Sequence, residues 1–85
     1  MTITEVSIIP VEPHDRLRAY AHVVFDDCFV VRNMSVIAGR ERLFVSMPTK
    51  KRGDGTFMDL AHPTTPKMRE YIETTVLEAF AREGR

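Results

Sequence analysis

The sequence predicts an α+β fold, with an antiparallel sheet of four or five strands followed by one C-terminal helix. Residues 2–60 contain short apolar or β-branched segments separated by turn residues, whereas residues 65–83 show helical spacing of apolar side chains. The period changes once, near Thr64, and no linker or repeat interrupts the chain. We therefore expect a single domain over residues 1–85, with the sheet at about 2–60 and the helix at about 65–83.

The first two strands are expected to form a hairpin. Thr2–Ile9 is rich in β-branched residues, and residues 12–15 (Glu-Pro-His-Asp) supply turn chemistry. From Leu17 onward, apolar and mostly polar residues alternate with a period of two, which is typical of a strand with one buried face. The predicted apolar face consists of Leu17, Ala19, Ala21, Val23 and Phe25.

A third strand is expected from Cys28 to Ile37, after a tight turn at Asp26-Asp27 and before Gly39. Strict alternation within this strand would put Phe29 and Val31 on one face. The opposite face would then carry Val30, Arg32 and Met34.

A short fourth strand, Leu43–Met47, should stop at Pro48, which lacks the backbone donor that a strand ladder needs. The glycines in residues 53–55 (Gly-Asp-Gly) indicate a turn before a brief extended piece at residues 57–59. Residues 50–52 are therefore expected on a loop between strands.

The helix start is indicated by Thr65 at the N-cap and Pro66 at the first helical position, and Gly84 is the expected C-terminal stop. Leu77 falls on the opposite side from the main apolar stripe, which favours a helix that also touches a second subunit. The main stripe comprises Met68, Ile72, Val76 and Ala79, flanked by Tyr71, Thr75 and Phe80.

Composition favours self-association. A chain of 85 residues buries only about two-thirds of the surface that its unfolded form exposes. Its one cysteine, Cys28, cannot form an internal disulfide, and we expect this residue in the core. Because 44% of the residues are hydrophobic, we expect a second copy to cover part of the apolar surface. The sequence thus predicts a homodimer.

The N-terminal segment has no basic region followed by an apolar one, and no apolar run approaches eighteen residues. We therefore expect a cytoplasmic protein without membrane insertion. The balance of twelve basic and twelve acidic residues means that any attraction to nucleic acid must come from local clustering.

Local clustering occurs at Lys50, Lys51 and Arg52, which we call the basic cluster. Three adjacent cations can neutralise phosphates and release counterions, which gives salt-dependent and largely sequence-independent affinity. The alternative is a solvated charge run with no ligand. The three residues by themselves are compatible with both interpretations.

The segment 43–52, Leu-Phe-Val-Ser-Met-Pro-Thr-Lys-Lys-Arg, is followed by Asp54-Gly55 and by residues 59–63, Asp-Leu-Ala-His-Pro. This pattern resembles the bacterial SpoVG (stage V sporulation protein G) family, and the likeness extends from about Val6 to Phe80. The resemblance implies a small dimeric regulator that binds DNA and RNA, with a role in cell-division septation and, in spore-formers, in sporulation. It also implies nucleic-acid contacts at the basic cluster.

Lys67 and Arg69 near the helix start are predicted secondary contacts, because cations there oppose the helix dipole and need some other reason for their position. Random surface placement is the alternative. Asp59 and His62, with Asp54 nearby, could bind a metal or share a proton, but they are too few for a metal site and lack a nucleophile. We therefore expect no catalytic residue, no metal site and no cofactor.

Exposed rings for base stacking are scarce in the predicted structure, since Phe25, Phe29 and Phe44 fall on apolar strand faces. Tyr20, Phe57 and Tyr71 remain as candidates. A different class of function is a protein-interaction module that binds a partner in the division machinery through exposed apolar residues such as Leu77. Salt dependence separates the two hypotheses, because phosphate contacts weaken steeply with added salt.

Overall fold

A computed structural model describes residues 1–83 and confirms the α+β class. The chain forms a four-stranded antiparallel sheet, then a separate two-stranded hairpin, then the C-terminal helix. The elements are β1 (Ile3–His14), β2 (Leu17–Phe25), β3 (Phe29–Ala38), β4 (Leu43–Ser46), β5 (Thr49–Lys51), β6 (Phe57–Asp59) and α1 (Pro66–Glu83).

The four-stranded sheet has the order β1-β2-β3-β4, so each strand pairs with its neighbour in sequence. Helix α1 packs against β1, β2 and β4, and the core lies between the helix and one face of the sheet. We call this unit the body. Its buried residues are Ala19, Ala21, Val23, Phe25, Met34, Val36, Val45, Met47, Ile72, Val76 and Ala79.

Strand β2 confirms the predicted alternation, because four of the five residues of the expected apolar face are buried. The predicted end of the first strand was wrong. Strand β1 continues past Ile9 to His14, with an irregularity in its pairing between Pro10 and His14. The turn is correspondingly tighter, and Asp15 adopts a left-handed conformation with φ of 60°. Proline is tolerated in β1 because it lies at an edge of the sheet.

Strand β3 departs from the strict alternation that the sequence predicted. Asn33 has φ of 67°, and the register against β2 shifts between the pairs made by Ala21 and Val23. The backbone N–H of Asn33 donates to Nδ1 of His22 over 3.2 Å. An extra residue in a strand reverses the faces beyond it. Met34 is therefore buried on the core side, whereas strict alternation placed it opposite Val31.

The turn before β3 is confirmed, since Asp26 and Asp27 have φ of 53° and 55°. Two burial predictions nearby were wrong. Cys28 belongs to the turn and is exposed, because the strand begins one residue later. Phe29 is 63% exposed, although it borders an apolar pocket together with Met68 and Ile72 of the helix.

The fourth strand is confirmed over Leu43–Ser46, one residue shorter than expected, and β3 ends at Ala38 before Gly39. The outer edge of β4 is closed by the helix. The Glu73 carboxylate accepts the backbone N–H of Val45 over 3.1 Å, and it also lies 3.5 Å from the Arg42 guanidinium. An edge covered in this way is less available for pairing with another strand.

Helix α1 starts as predicted. The Thr65 hydroxyl accepts the backbone N–H of Met68 over 3.1 Å, which is N-cap geometry, and Pro66 is the first helical residue. The predicted position of Leu77 away from the core was wrong, because this residue is partly buried and packs against the core of its own chain. Its contact with a second subunit stays a prediction. The predicted stop at Gly84 lies outside the described residues.

Within residues 1–83, no helix is long and apolar enough to cross a membrane.

Candidate nucleic-acid interface

The basic cluster lies on the separate hairpin formed by β5 and β6. Lys50 and Lys51 belong to β5, and Arg52 follows directly in the turn. The expectation of an irregular loop was therefore wrong for the two lysines. The cause is pairing with the extended piece at Phe57–Asp59, which converts the loop into a short ladder.

The pairing register determines which side chains share a face of the hairpin. Lys51 lies opposite Phe57, and Lys50 lies opposite Met58. Directly opposed residues in an antiparallel pair project to the same side, and successive residues alternate. One face therefore carries Lys51 and Phe57, and the other carries Lys50 and Met58.

The turn of the hairpin is held by several hydrogen bonds. The backbone N–H of Arg52 donates to the carbonyl of Thr56 over 2.6 Å, and the N–H of Gly55 donates to the carbonyl of Arg52 over 3.0 Å. Gly55 has φ of 93°, a conformation that favours glycine. These bonds give Arg52 a defined position at the end of β5.

Asp54 stabilises the same turn with its side chain. Its Oδ1 accepts the backbone N–H of Thr56 over 3.0 Å and the Thr56 hydroxyl over 2.7 Å. The hydrogen bond from the Thr56 backbone, followed by that from its hydroxyl, lowers the pKa of the Asp54 carboxyl below its ordinary value. The Asp54 carboxylate is thus engaged within the turn and does not form an ion pair with the basic cluster.

The hairpin is joined to the body by a buried segment, which we call its base. Met47 and Pro48 are buried where the chain leaves the body, and the Pro48 carbonyl accepts the N–H of Leu60 over 2.7 Å where the chain returns. Beyond that base, every residue from 49 to 60 is exposed. The basic cluster is therefore presented to solvent on an ordered support.

The electrostatic surroundings leave the basic cluster unpaired. Among the side chains that the structure describes (residues 1–12 and 15–83), the one ion pair within 4.0 Å is Arg42–Glu73 in the body. Lys50, Lys51 and Arg52 accordingly have no carboxylate partner at that distance, and all three side chains are exposed. Unpaired, exposed cations retain their full capacity to bind phosphate.

Lys67 and Arg69 lie near the start of α1 and are both exposed. The first turn of α1 contains no acidic residue. The packing partners of α1 are strands of the body, so the helix start and the hairpin are separate features of the surface. The structure places Lys50 and Lys51 on opposite faces of one hairpin, and it places Lys67 and Arg69 on a different element.

Asp59 and His62, the alternative metal or proton-sharing pair, have other surroundings. His62 Nδ1 lies 3.0 Å from the carbonyl of Pro63, a contact that ties the loop before the helix. Asp59 is exposed in β6, opposite Thr49. No group of three or more His, Cys, Asp or Glu residues in the described part of the chain could hold a metal ion.

The three aromatic candidates differ in exposure and in position. Tyr20 and Tyr71 are each 37% exposed, and the Tyr71 hydroxyl accepts the backbone N–H of Ile3 over 2.9 Å. Phe57 is 66% exposed and lies across the hairpin from Lys51. Phe29, which is 63% exposed, was not among the sequence candidates, because the alternation of β3 placed it on an apolar face.

The fold and this surface define a class: a small α+β protein with an exposed basic hairpin. The model of the SpoVG family matches residues 1–82. The chain belongs to the SpoVG family, as its sequence pattern predicted.

Individual relatives agree with this assignment. The chain is 49% identical to a protein from Anaeromyxobacter sp. (strain Fw109-5) that carries the name septation protein SpoVG, over 100% of this chain and 87% of that protein. It is 49% identical to the protein of the same name from Bdellovibrio bacteriovorus, over 98% of this chain and 76% of the relative. It is 44% identical to the protein of the same name from Treponema denticola, over 96% of this chain and 88% of the relative.

Proposed function

We propose that this protein is a non-enzymatic, dimeric regulator that binds nucleic acid through Lys50, Lys51 and Arg52, as one SpoVG-like domain spanning residues 1–85. The observation that carries the proposal is the exposure of three adjacent cations on an ordered hairpin, without carboxylate partners in the described chain. Because the backbone of the hairpin is already ordered, binding does not require this segment to fold first.

The proposed contacts are to phosphates of DNA and RNA. Each cation would release condensed counterions on binding, which makes the affinity fall as salt rises. Phosphate contacts carry no direct sequence information, so sequence preference at the basic cluster should be low. Lys67 and Arg69 would add secondary contacts when a longer nucleic acid passes the start of α1.

The biological setting that we propose is cell-division septation. The support is family membership, together with the name that the relatives from Anaeromyxobacter, Bdellovibrio and Treponema carry. In spore-forming organisms the same role would extend to sporulation. A protein partner in the division machinery remains the alternative that the binding experiment below separates.

Dimerisation is proposed to occur along the first half of β3. Strand β4 pairs only with Ser35–Ala38, so the side of β3 over residues 29–34 that faces away from β2 has no strand beside it. A groove runs there between β3 and the segment 46–49, with Leu60 and Ala61 on the far side. Such an open edge can accept a strand from a second copy.

The other edges of the sheet are less available. Glu73 occupies the edge of β4, and the Tyr71 hydroxyl occupies the N–H of Ile3 in β1. Pro10 and Pro13 further remove two donors from β1. Along the open part of β3, by contrast, Phe29 is 63% exposed and Val30 is 42% exposed. Burial of these side chains by a second copy would stabilise the dimer.

Light scattering during gel filtration tests this interface. Val30→Asp should convert a dimer into a monomer, because it places a charge in the apolar contact. The matched control is Ile9→Asp, at a residue of similar exposure (38%) on β1, which should leave the dimer intact. A monomeric wild-type protein, or equal effects of the two substitutions, would refute the proposed edge.

Fluorescence anisotropy of labelled DNA and RNA tests the binding site. The wild-type protein should bind with an affinity that decreases as salt rises. Lys50→Ala, Lys51→Ala and Arg52→Ala combined should abolish most of the binding while circular dichroism shows an intact fold. The log–log salt slope should become shallower by about 1 for each contact removed.

A charge-matched control distinguishes local contacts from net charge. Arg16→Ala, Arg40→Ala and Arg82→Ala combined remove the same charge from exposed positions in the body. Binding should be largely retained in this variant. No wild-type binding at low salt would refute the nucleic-acid proposal and favour a protein partner, while equal losses in both triple variants would refute the assignment to the hairpin.

A further inference from the structure

We infer that the hairpin selects single-stranded over double-stranded nucleic acid, with Phe57 as a platform on which an unpaired base stacks. This inference rests on the proposed function and assigns its ligand class and one more binding residue. It begins from a side chain that the fold itself does not explain.

Phe57 does not contribute to the core. It is 66% exposed, and none of the residues of β5 and β6 is buried. Exposure of a large aromatic side chain to water is unfavourable, and its free-energy cost increases with the apolar area that stays exposed. The ladder and the turn bonds of the hairpin do not involve the Phe57 ring. The ring is therefore available to a ligand or a partner.

The cations next to Phe57 indicate which ligand. Lys51 is its direct cross-strand neighbour and projects from the same face, and Arg52 follows at the adjoining end of the ladder. Opposed side chains in such a pair have Cβ atoms about 4.5 to 5.5 Å apart. One face thus combines an aromatic ring with a directly neighbouring positive charge.

The acidic residues of the hairpin lie at its two ends. Asp59 lies opposite Thr49 at the base of the ladder, on the same face as Phe57 but two residues further from the turn. The Asp54 carboxylate is bound to the backbone and the hydroxyl of Thr56. Lys51 is therefore the cation directly beside Phe57, and Arg52 adds positive charge one residue further on, at the turn.

An exposed ring discriminates between single and double strands for a geometric reason. In a duplex, the faces of the bases are covered by the neighbouring base pairs, so an aromatic side chain cannot stack on them and the protein meets phosphates, sugars and base edges. In a single strand, a base can leave its neighbours and stack on an aromatic side chain while the adjoining phosphates bind cations. The basic cluster alone would serve both forms, and Phe57 adds affinity for one of them.

The chain offers a direct optical test, because it contains no tryptophan. In the Phe57→Trp variant, the indole is the only one in the protein and stacks as phenylalanine does. A single-stranded oligothymidylate should quench its fluorescence in a saturable manner, whereas the same concentration of duplex should not. Adding the three alanine substitutions of the basic cluster to this variant should remove the quenching.

The matched control lies one residue away. Met58→Trp puts the probe on the same strand but on the opposite face, beside Lys50. Met58 is 41% exposed, so solvent and oligonucleotide reach both positions. Quenching should be much smaller for Trp at 58 than at 57. Equal or greater quenching at 58 would overturn the assignment of the stacking face.

Affinity measurements give an independent test. Phe57→Leu removes the ring and keeps an apolar side chain, so it should weaken single-strand binding by about 5- to 150-fold, the range expected for the loss of one stacked base. Phe57→Tyr should retain most of the affinity. Duplex binding should change little in either variant.

The possible outcomes separate this inference from the proposed function. Binding of the wild-type protein that is equal for single strands and duplexes, with no effect of Phe57→Leu, would overturn the inference and leave the basic cluster intact as a phosphate site. A dimer that dissociates in Phe57→Leu would also overturn it, because the ring would then belong to a subunit contact. Absence of any wild-type binding would refute both.

Discussion

The body and the hairpin differ in how far their side chains are buried. In the body, alternate side chains of β2 are buried beneath α1, and Val23, Val36 and Val76 have no measurable exposure. In the hairpin, every residue of β5 and β6 is exposed. The body is stabilised mainly by apolar burial, whereas the hairpin depends on its ladder, its turn bonds and its buried base.

This difference indicates which residues are candidates for function. Packing in the core constrains the residues of the body, so their identities are explained by the fold. Residues in the hairpin contribute little to the core, so unusual choices there need another explanation. Three consecutive cations and an exposed phenylalanine within one short hairpin are such choices.

The contrast between the body and the hairpin can be tested by making the same substitution in both regions. Met34 is 1% exposed in the body, and Met58 is 41% exposed in the hairpin. Met34→Ala should lower the free energy of unfolding by about 2 to 5 kcal/mol, because it removes buried contacts and leaves a cavity. Met58→Ala should change it by less than about 0.5 kcal/mol. Urea denaturation at one fixed protein concentration measures both, and similar losses would contradict the division.

A smaller effect is expected at the bulge in β3. Asn33 has φ of 67°, which asparagine tolerates and a β-branched residue does not. Asn33→Val should therefore cost about 1 to 3 kcal/mol of unfolding free energy, the range for a strained backbone. Asn33→Gly is the control and should cost much less. A fully stable Asn33→Val variant would show that the strand does not need this bulge.

In the hairpin, the corresponding backbone test should act locally. Gly55 has φ of 93°, so Gly55→Ala should destabilise the turn by about 1 to 2 kcal/mol. Hydrogen exchange should speed up at the amides of residues 50–59 and not in β2. Gly53→Ala is the matched control, since a side chain there meets no atom within 4 Å and φ is not left-handed. Faster exchange throughout β2 would mean that the hairpin and the body unfold together.

The smallest effect is a pH dependence of the turn. Because hydrogen bonds from Thr56 lower the pKa of Asp54 in the folded protein, this carboxylate stabilises the turn at pH values above the ordinary aspartate range. That contribution is lost as the pH falls through the lowered pKa. The amide signal of Thr56 in NMR spectra should shift over this acidic window. In Asp54→Asn the shift should disappear, and a persistent shift would assign it to another group.

Much of the fold was predictable from local pattern. The alternation from Leu17 to Phe25 identified β2 and its buried face, and Thr65-Pro66 identified the first turn of α1. These signals are strong because they depend on residues close in sequence: a strand has a period of two, and an N-cap needs only its own helix. The basic cluster was visible for the same reason, as a run of three charges.

Other features had no sufficient local signal. Asn33 tolerates left-handed geometry in many contexts, so its presence did not reveal a bulge that reverses the faces of β3. The exposure of Cys28 and Phe29 depends on where β3 starts. Leu77 was misjudged because its contacts come from the sheet and not from its neighbours in sequence.

By itself, the sequence determined the α+β class, the positions of the main strands and the helix, the family and the presence of a basic cluster. Only the tertiary structure decided that Lys50 and Lys51 form a strand, that Phe57 lies across from Lys51, and that one length of β3 has an open edge. The physical reason is that propensity and period act over a few residues. Strand pairing, register and burial are set by segments that meet only after the chain has folded.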